Sequence, residues 1–150
     1  ADARAKRCRL FVLTLPKNTS PNIAEAWRIA DSVVAMTAPP RQALERFNVD
    51  LLVAAALAGA SKTKPELADS ARHVAKRSAG DVAIDATRDL SFYAARVYTI
   101  LGDKADAIRL LKEYFAANPQ RAISFRDDPG WWFKDIADDP AFKQLVGAVK

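Results

Sequence analysis

Cysteine, histidine and glycine are all scarce in this chain: one Cys, one His and five Gly among 150 residues. Cys8 has no partner for an internal disulfide, which excludes a cystine-stapled secreted scaffold and points to a reducing, cytoplasmic setting. Cys8 and His73 together fall short of a zinc site. His73 stands beside Arg72 with no motif pairing it to a nucleophile, so acid–base or covalent catalysis has no obvious centre. A glycine-rich phosphate cradle and a serine-hydrolase elbow are missing as well. The expectation is a non-enzymatic chain that needs no cofactor and no metal. No run approaches the roughly 18 apolar residues of a membrane span, and a signal-peptide layout is lacking. The chain starts at Ala1 without an initiator Met, and is expected to be part of a longer protein.

What is abundant favours helices. Half the residues are apolar, with alanine prominent, and 27% are charged. The length suits a single domain over residues 1–150. Of the net charge of +5, Asp2, Arg4, Lys6, Arg7 and Arg9 supply +3, so the basicity is local. The other dense cluster is Arg72, Lys76 and Arg77, near Lys62 and Lys64. It is a candidate anion-binding face, although nucleic-acid binding would ask for a longer basic stripe interleaved with aromatics.

Periodicity supplies the elements. Leu90, Ala94, Val97, Tyr98 and Leu101 recur at helical spacing from Asp89 until Gly102-Asp103 interrupts; Ala107, Ile108, Leu111, Tyr114 and Phe115 then repeat the pattern until Asn118-Pro119. The short turn makes the two helices antiparallel neighbours. Upstream, Ile23, Ala26, Trp27, Ala30, Val33 and Val34 form a stripe, with Ser20 as the expected cap and Pro21 at the first helical position. A helix from Arg41 to Ala58, a loop from Gly59 to Lys64, and a helix opened by Pro65 and closed at Ala79-Gly80-Asp81 follow. Leu10 to Leu13 has strand-like composition, but without other sheet it reads as part of a helix from Asp2 to Leu15 ended by Pro16. In the tail, Asp127-Asp128-Pro129 and Asp138-Asp139-Pro140, eleven residues apart, should each start a short helix. Trp131, Trp132, Phe133 and Ile136 would be the apolar face of the first, capping the stack.

Ala26, Ala68 and Ala107, spaced 42 and then 39 residues apart, align as small residues where paired helices would cross closely. The segment Asp89 to Pro119 resembles the tetratricopeptide repeat family through Tyr98, Gly102-Asp103, Ala107, Leu111 and Pro119. Ala95 and Tyr114 depart from its usual Gly and Ala. The closing Trp131-Trp132-Phe133 and Asp138 to Phe142 resemble the ends of bacterial tetratricopeptide proteins fused to kinases or regulators. The resemblance implies an all-α, right-handed stack of antiparallel helical hairpins, an α-solenoid of about three hairpins to residue 119 with capping helices over 120–150.

Such a stack implies a scaffold that binds a protein or peptide partner on a concave face. By the family pattern Asp89, Tyr93, Arg96 and Thr99 would line it, with Tyr93 and Arg96 as anchors. Two alternatives stay open. One is binding of nucleic acid or an anionic surface through the basic N-terminus and the Arg72, Lys76 and Arg77 cluster; the other is an accessory domain to chemistry elsewhere in a longer protein.

Overall fold

The computed structural model describes residues 2–15, 18 and 20–148, and among these the regular structure is entirely helical. Eight α-helices are present among the described residues: α1 Ala3–Val12, α2 Ile23–Ala35, α3 Gln42–Ala60, α4 Leu67–Ser78, α5 Asp89–Leu101, α6 Lys104–Ala117, α7 Pro119–Asp127 and α8 Pro140–Gly147. Short 3-10 segments lie at Pro39–Arg41 and Lys134–Ile136.

The centre is α3, which packs on α1, α2, α4 and α5. Its C-terminal half is apolar on every side, with Val53, Ala54, Ala55, Ala56, Leu57 and Ala58 all buried. The small side chains let several helices approach one axis. Against it α4 lays Ala71, Val74 and Ala75, and turns its charged residues outward. Ala71 and Ala75 are the fully buried alanines of α4, whereas Ala68, expected at the close crossing, is only half-buried near the helix start at Leu67.

Several boundaries shift for capping reasons. Asn22, not Ser20, caps α2, its side chain accepting the Glu25 N–H at 2.9 Å while Glu25 sits favourably in the first turn. Leu10 to Val12 is helix and Leu13 its C-cap; Pro16, the expected stop, lies outside the described residues. Pro119 ends α6 but also opens α7 at its first position. Asp127-Asp128-Pro129 starts no helix: Asp128 accepts the Gly130 N–H at 2.8 Å and Gly130 takes φ +73°, forming a turn. By contrast Asp139 accepts the Ala141 N–H at 2.9 Å and α8 follows.

The tail returns to the body through aromatics. Phe92 on α5 meets Tyr114, Phe125, Trp132 and Phe133 at centroid distances of 4.9, 6.0, 5.5 and 5.4 Å. Phe133, Ile136 and Phe142 are buried beneath these contacts. Offset and edge-on rings at such distances add to the area they bury.

Candidate functional site

The position of α5 determines the site. Its N-terminus has no cap from Arg88, which is left-handed at φ 60°. The carboxylate of Asp85 reaches forward instead, accepting the N–H groups of Asp89 and Leu90 at 3.0 and 2.9 Å. Burial pushes the Asp85 carboxyl above its ordinary value, against those two hydrogen bonds. Arg88 holds the turn by pairing with Glu113 at 2.7 Å. At the other end Gly102, with φ 81°, closes α5: the Asp103 N–H bonds Tyr98 O and the Gly102 N–H bonds Thr99 O.

Between α1, α3, the 81–88 loop and the start of α5 lies an open cleft of about 820 Å³. Leu44, Leu52 and Phe11 supply apolar surface over the buried Val49, and Trp132 and Tyr93 stand at one side. Arg7 grips Glu45 at the rim through two hydrogen bonds of 2.6 and 3.1 Å. Asn48, Arg41 and the Tyr93 hydroxyl line the cleft and bond no other described residue through their side-chain polar atoms. Asp89 is exposed there and accepts only the Thr87 hydroxyl at 2.7 Å. Burial, and then the charge of Asp89, raise the Tyr93 phenol above its ordinary value, so it stays protonated and able to donate at neutral pH.

Of the four residues expected on one concave face, Asp89 and Tyr93 border this cleft, while Arg96 and Thr99 are enclosed. Thr99 donates back to Ala95 O at 2.8 Å. Arg96 is 2% exposed. Its Nη2 donates to Thr14 O at 3.1 Å and Thr14 Oγ1 at 2.7 Å. Trp132 lies 4.1 Å from the guanidinium carbon, with Phe11 and Trp131 at 5.2 and 5.3 Å. The expectation that Arg96 and Thr99 are open to a partner is therefore corrected: α1 and the tryptophan pair close over that stretch of α5. The sequence does group these residues on one helix side, but the covering segments are far away, Thr14 being 82 positions from Arg96.

The basic cluster is divided among carboxylates. Arg72 bonds Asp103 at 2.7 and 3.2 Å and Asp69 at 3.0 Å, and the Asp103 bond raises its pKa. Arg77 pairs with Asp50 at 3.3 Å. Lys76 is exposed on the same helix. At the N-terminus Arg7 is held by Glu45, Arg9 by Glu25, and Lys6 by Ser32. His73 and Cys8 are exposed, and no cluster of metal-ligating side chains occurs among the described residues. No helix is long and apolar enough to cross a membrane among the described residues.

Leu44, Asn48, Val49 and Leu52 of the cleft were not singled out as a site from sequence, since an i, i+4, i+5, i+8 set on α3 reads as core. The half-exposed Asn48 among them is the signal that this face is open. Compared with protein-family models, with curated proteins and with solved structures, the chain matches none.

Proposed function

We propose that this chain is a non-catalytic interaction domain whose cleft between α1, α3 and α5 takes a short extended peptide segment of a partner protein. The observation that carries the reading is the cleft itself: about 820 Å³ of largely apolar surface bordered by hydrogen-bonding groups with no partner in the described chain. That volume lies in the range of pockets enclosing drug-sized ligands, so it suits a few peptide side chains and not a whole domain. Leu44, Leu52 and Phe11 would receive an apolar side chain, Asp89 a basic one, and Asn48 and Tyr93 the peptide backbone.

A tetratricopeptide-like α-solenoid is the architecture we infer around it. It is supported by the packing of α3 on α4 and α5 on α6, and by the contact of α5 with both helices of the preceding pair. A repeat stack requires that neighbour pattern. Binding of nucleic acid is disfavoured because Arg7, Arg9, Arg72 and Arg77 face carboxylates of their own chain.

Selection from a displayed library of short peptides, followed by binding measured in solution, tests the proposal. Selected peptides should lose binding to Leu44→Lys and Tyr93→Ala and weaken toward Asp89→Asn, with helical circular dichroism unchanged. Peptides that bind all three variants like the parent chain would overturn it.

A further inference from the structure

Behind Trp132, on the side away from the peptide cleft, a second and much smaller cavity of about 90 Å³ opens on Arg96. Thr14, Asn18, Lys62 and Asp135 give it polar wall, and Ile100 and Trp131 apolar wall. Both hydrogens of Arg96 Nη2 are engaged by Thr14, whereas Nη1 is buried with no hydrogen-bond partner. No carboxylate among the described residues lies within ion-pair distance of this guanidinium; Asp135, the acidic residue of the wall, is exposed and forms no such pair.

A buried cation without a counter-charge is costly. Removing an ion from water carries a desolvation cost that attraction to a counter-charge normally offsets. Cation–π contacts with Trp132 at 4.1 Å, and more distantly with Phe11 and Trp131 at 5.2 and 5.3 Å, offset part of that cost but supply no counter-charge. The deficit shows in the guanidinium, which burial pushes down to about 10 while leaving it charged at neutral pH. Water in the cavity would leave the charge without a counter-ion. The volume equals the share of about three waters, or one compact oxyanion.

We propose that the Arg96 cavity binds a compact oxyanion, a carboxylate or phosphate group, held by the free Nη1 of Arg96 and by Lys62 at the rim. Charge-assisted hydrogen bonding to an oxyanion uses the donors of Arg96 that the chain leaves unmet. Lys62 is exposed, with no partner among the described residues, and can close over the ion. Trp131, 51% exposed, covers the entrance while remaining reachable from solvent. The inference stands apart from the peptide reading, since the two cavities share only the Trp132 side chain.

The full chain carrying Trp27→Phe, so that emission comes from Trp131 and Trp132, should be titrated with sodium acetate and, in a parallel arm, with inorganic phosphate. Sodium chloride holds ionic strength constant. A saturable change in indole emission is expected in at least one arm, and the arm that responds identifies the carboxylate or the phosphate group as the ligand. Arg96→Met should abolish the response with helical circular dichroism retained, and Lys62→Gln should weaken it about threefold. Absence of a saturable response in both arms overturns the proposal, as does a response that Lys62→Gln leaves unchanged. If Arg96→Met fails to fold, Lys62→Gln decides alone.

Discussion

Asp50 and Arg96 are buried to nearly the same degree, 4% and 2% exposed, yet their surroundings differ. Asp50 sits on α3 between Arg46 at 3.1 Å and Arg77 at 3.3 Å, and both arginines keep part of their side chains in water, 34% and 48% exposed. The Arg46 contact is close enough for an ion pair but not aligned as a hydrogen bond, leaving Arg46 Nε and Asp50 Oδ1 without one. Even so, burial outweighs both arginines and lifts the Asp50 carboxyl above its ordinary value. Arg96 has aromatic walls and a threonine, and no opposite charge. Charge in the α3–α4 region is offset from within the chain, whereas on α5 it is left open to something from outside. Intramolecular ion pairs secure an arrangement of helices; a lone buried cation beside a small cavity suits a ligand.

The largest effect should come from removing the indole packed on Arg96 in the second region. Trp132→Ala deletes a half-buried indole that touches Phe11, Phe92, Tyr93 and Arg96, and should cost about 3 kcal/mol in urea denaturation. A cost near zero would mean that the tail does not hold α5 and that the comparison describes only surface decoration. Next comes Asp50→Ala, which leaves Arg46 and Arg77 without their carboxylate. Because both partners can turn back into water, the expected loss is about 2 kcal/mol, below that of a fully enclosed pair. Asp85→Ala should cost about 1 kcal/mol by uncapping α5, seen as earlier exchange of the Asp89 and Leu90 amides.

A smaller effect is in pH. Asp50 and Asp85 both have carboxyls raised by burial, so the folded chain takes up their protons at higher pH than the unfolded chain does. Their joint contribution to stability therefore rises as pH falls through the folded values, and levels off below the ordinary value of 3.8. The urea midpoint of the parent chain, minus that of Asp50→Asn, should grow between about pH 7 and about pH 4. A shrinking difference would show that ion pairing, not burial, governs Asp50. The smallest expected change is at Arg96→Met, near zero or slightly stabilising without added anion, since an apolar side chain of similar length suits that space. A loss as large as that of Asp50→Ala would make Arg96 a structural cation and erase the contrast between the regions.

The α5–α6 pair was legible because its punctuation is local: Gly102-Asp103 permits the left-handed closure and Asn118-Pro119 stops the next helix. α7 was hidden by the same proline, which ends one helix and starts another. The two Asp-Asp-Pro triplets look alike and part company at the next residue: Gly130 turns the chain, whereas Ala141 continues it as helix. Which face of α5 stays open could not be read locally, because it depends on Thr14 and Trp132 arriving from the two ends of the chain. Asp89 and Tyr93 were legible as members of one face, and the α3 half of the cleft was not.

Trp132 is a wall of the larger cleft and of the smaller cavity at once. If both proposed ligands bind, an indole held by one presents a fixed surface to the other, and the two affinities are thermodynamically linked. Any factor by which a bound anion tightens a peptide is the factor by which the peptide tightens the anion. A chain of this size could thus report on two molecules through one side chain, and the sign of that coupling is set by whether both prefer the same indole orientation.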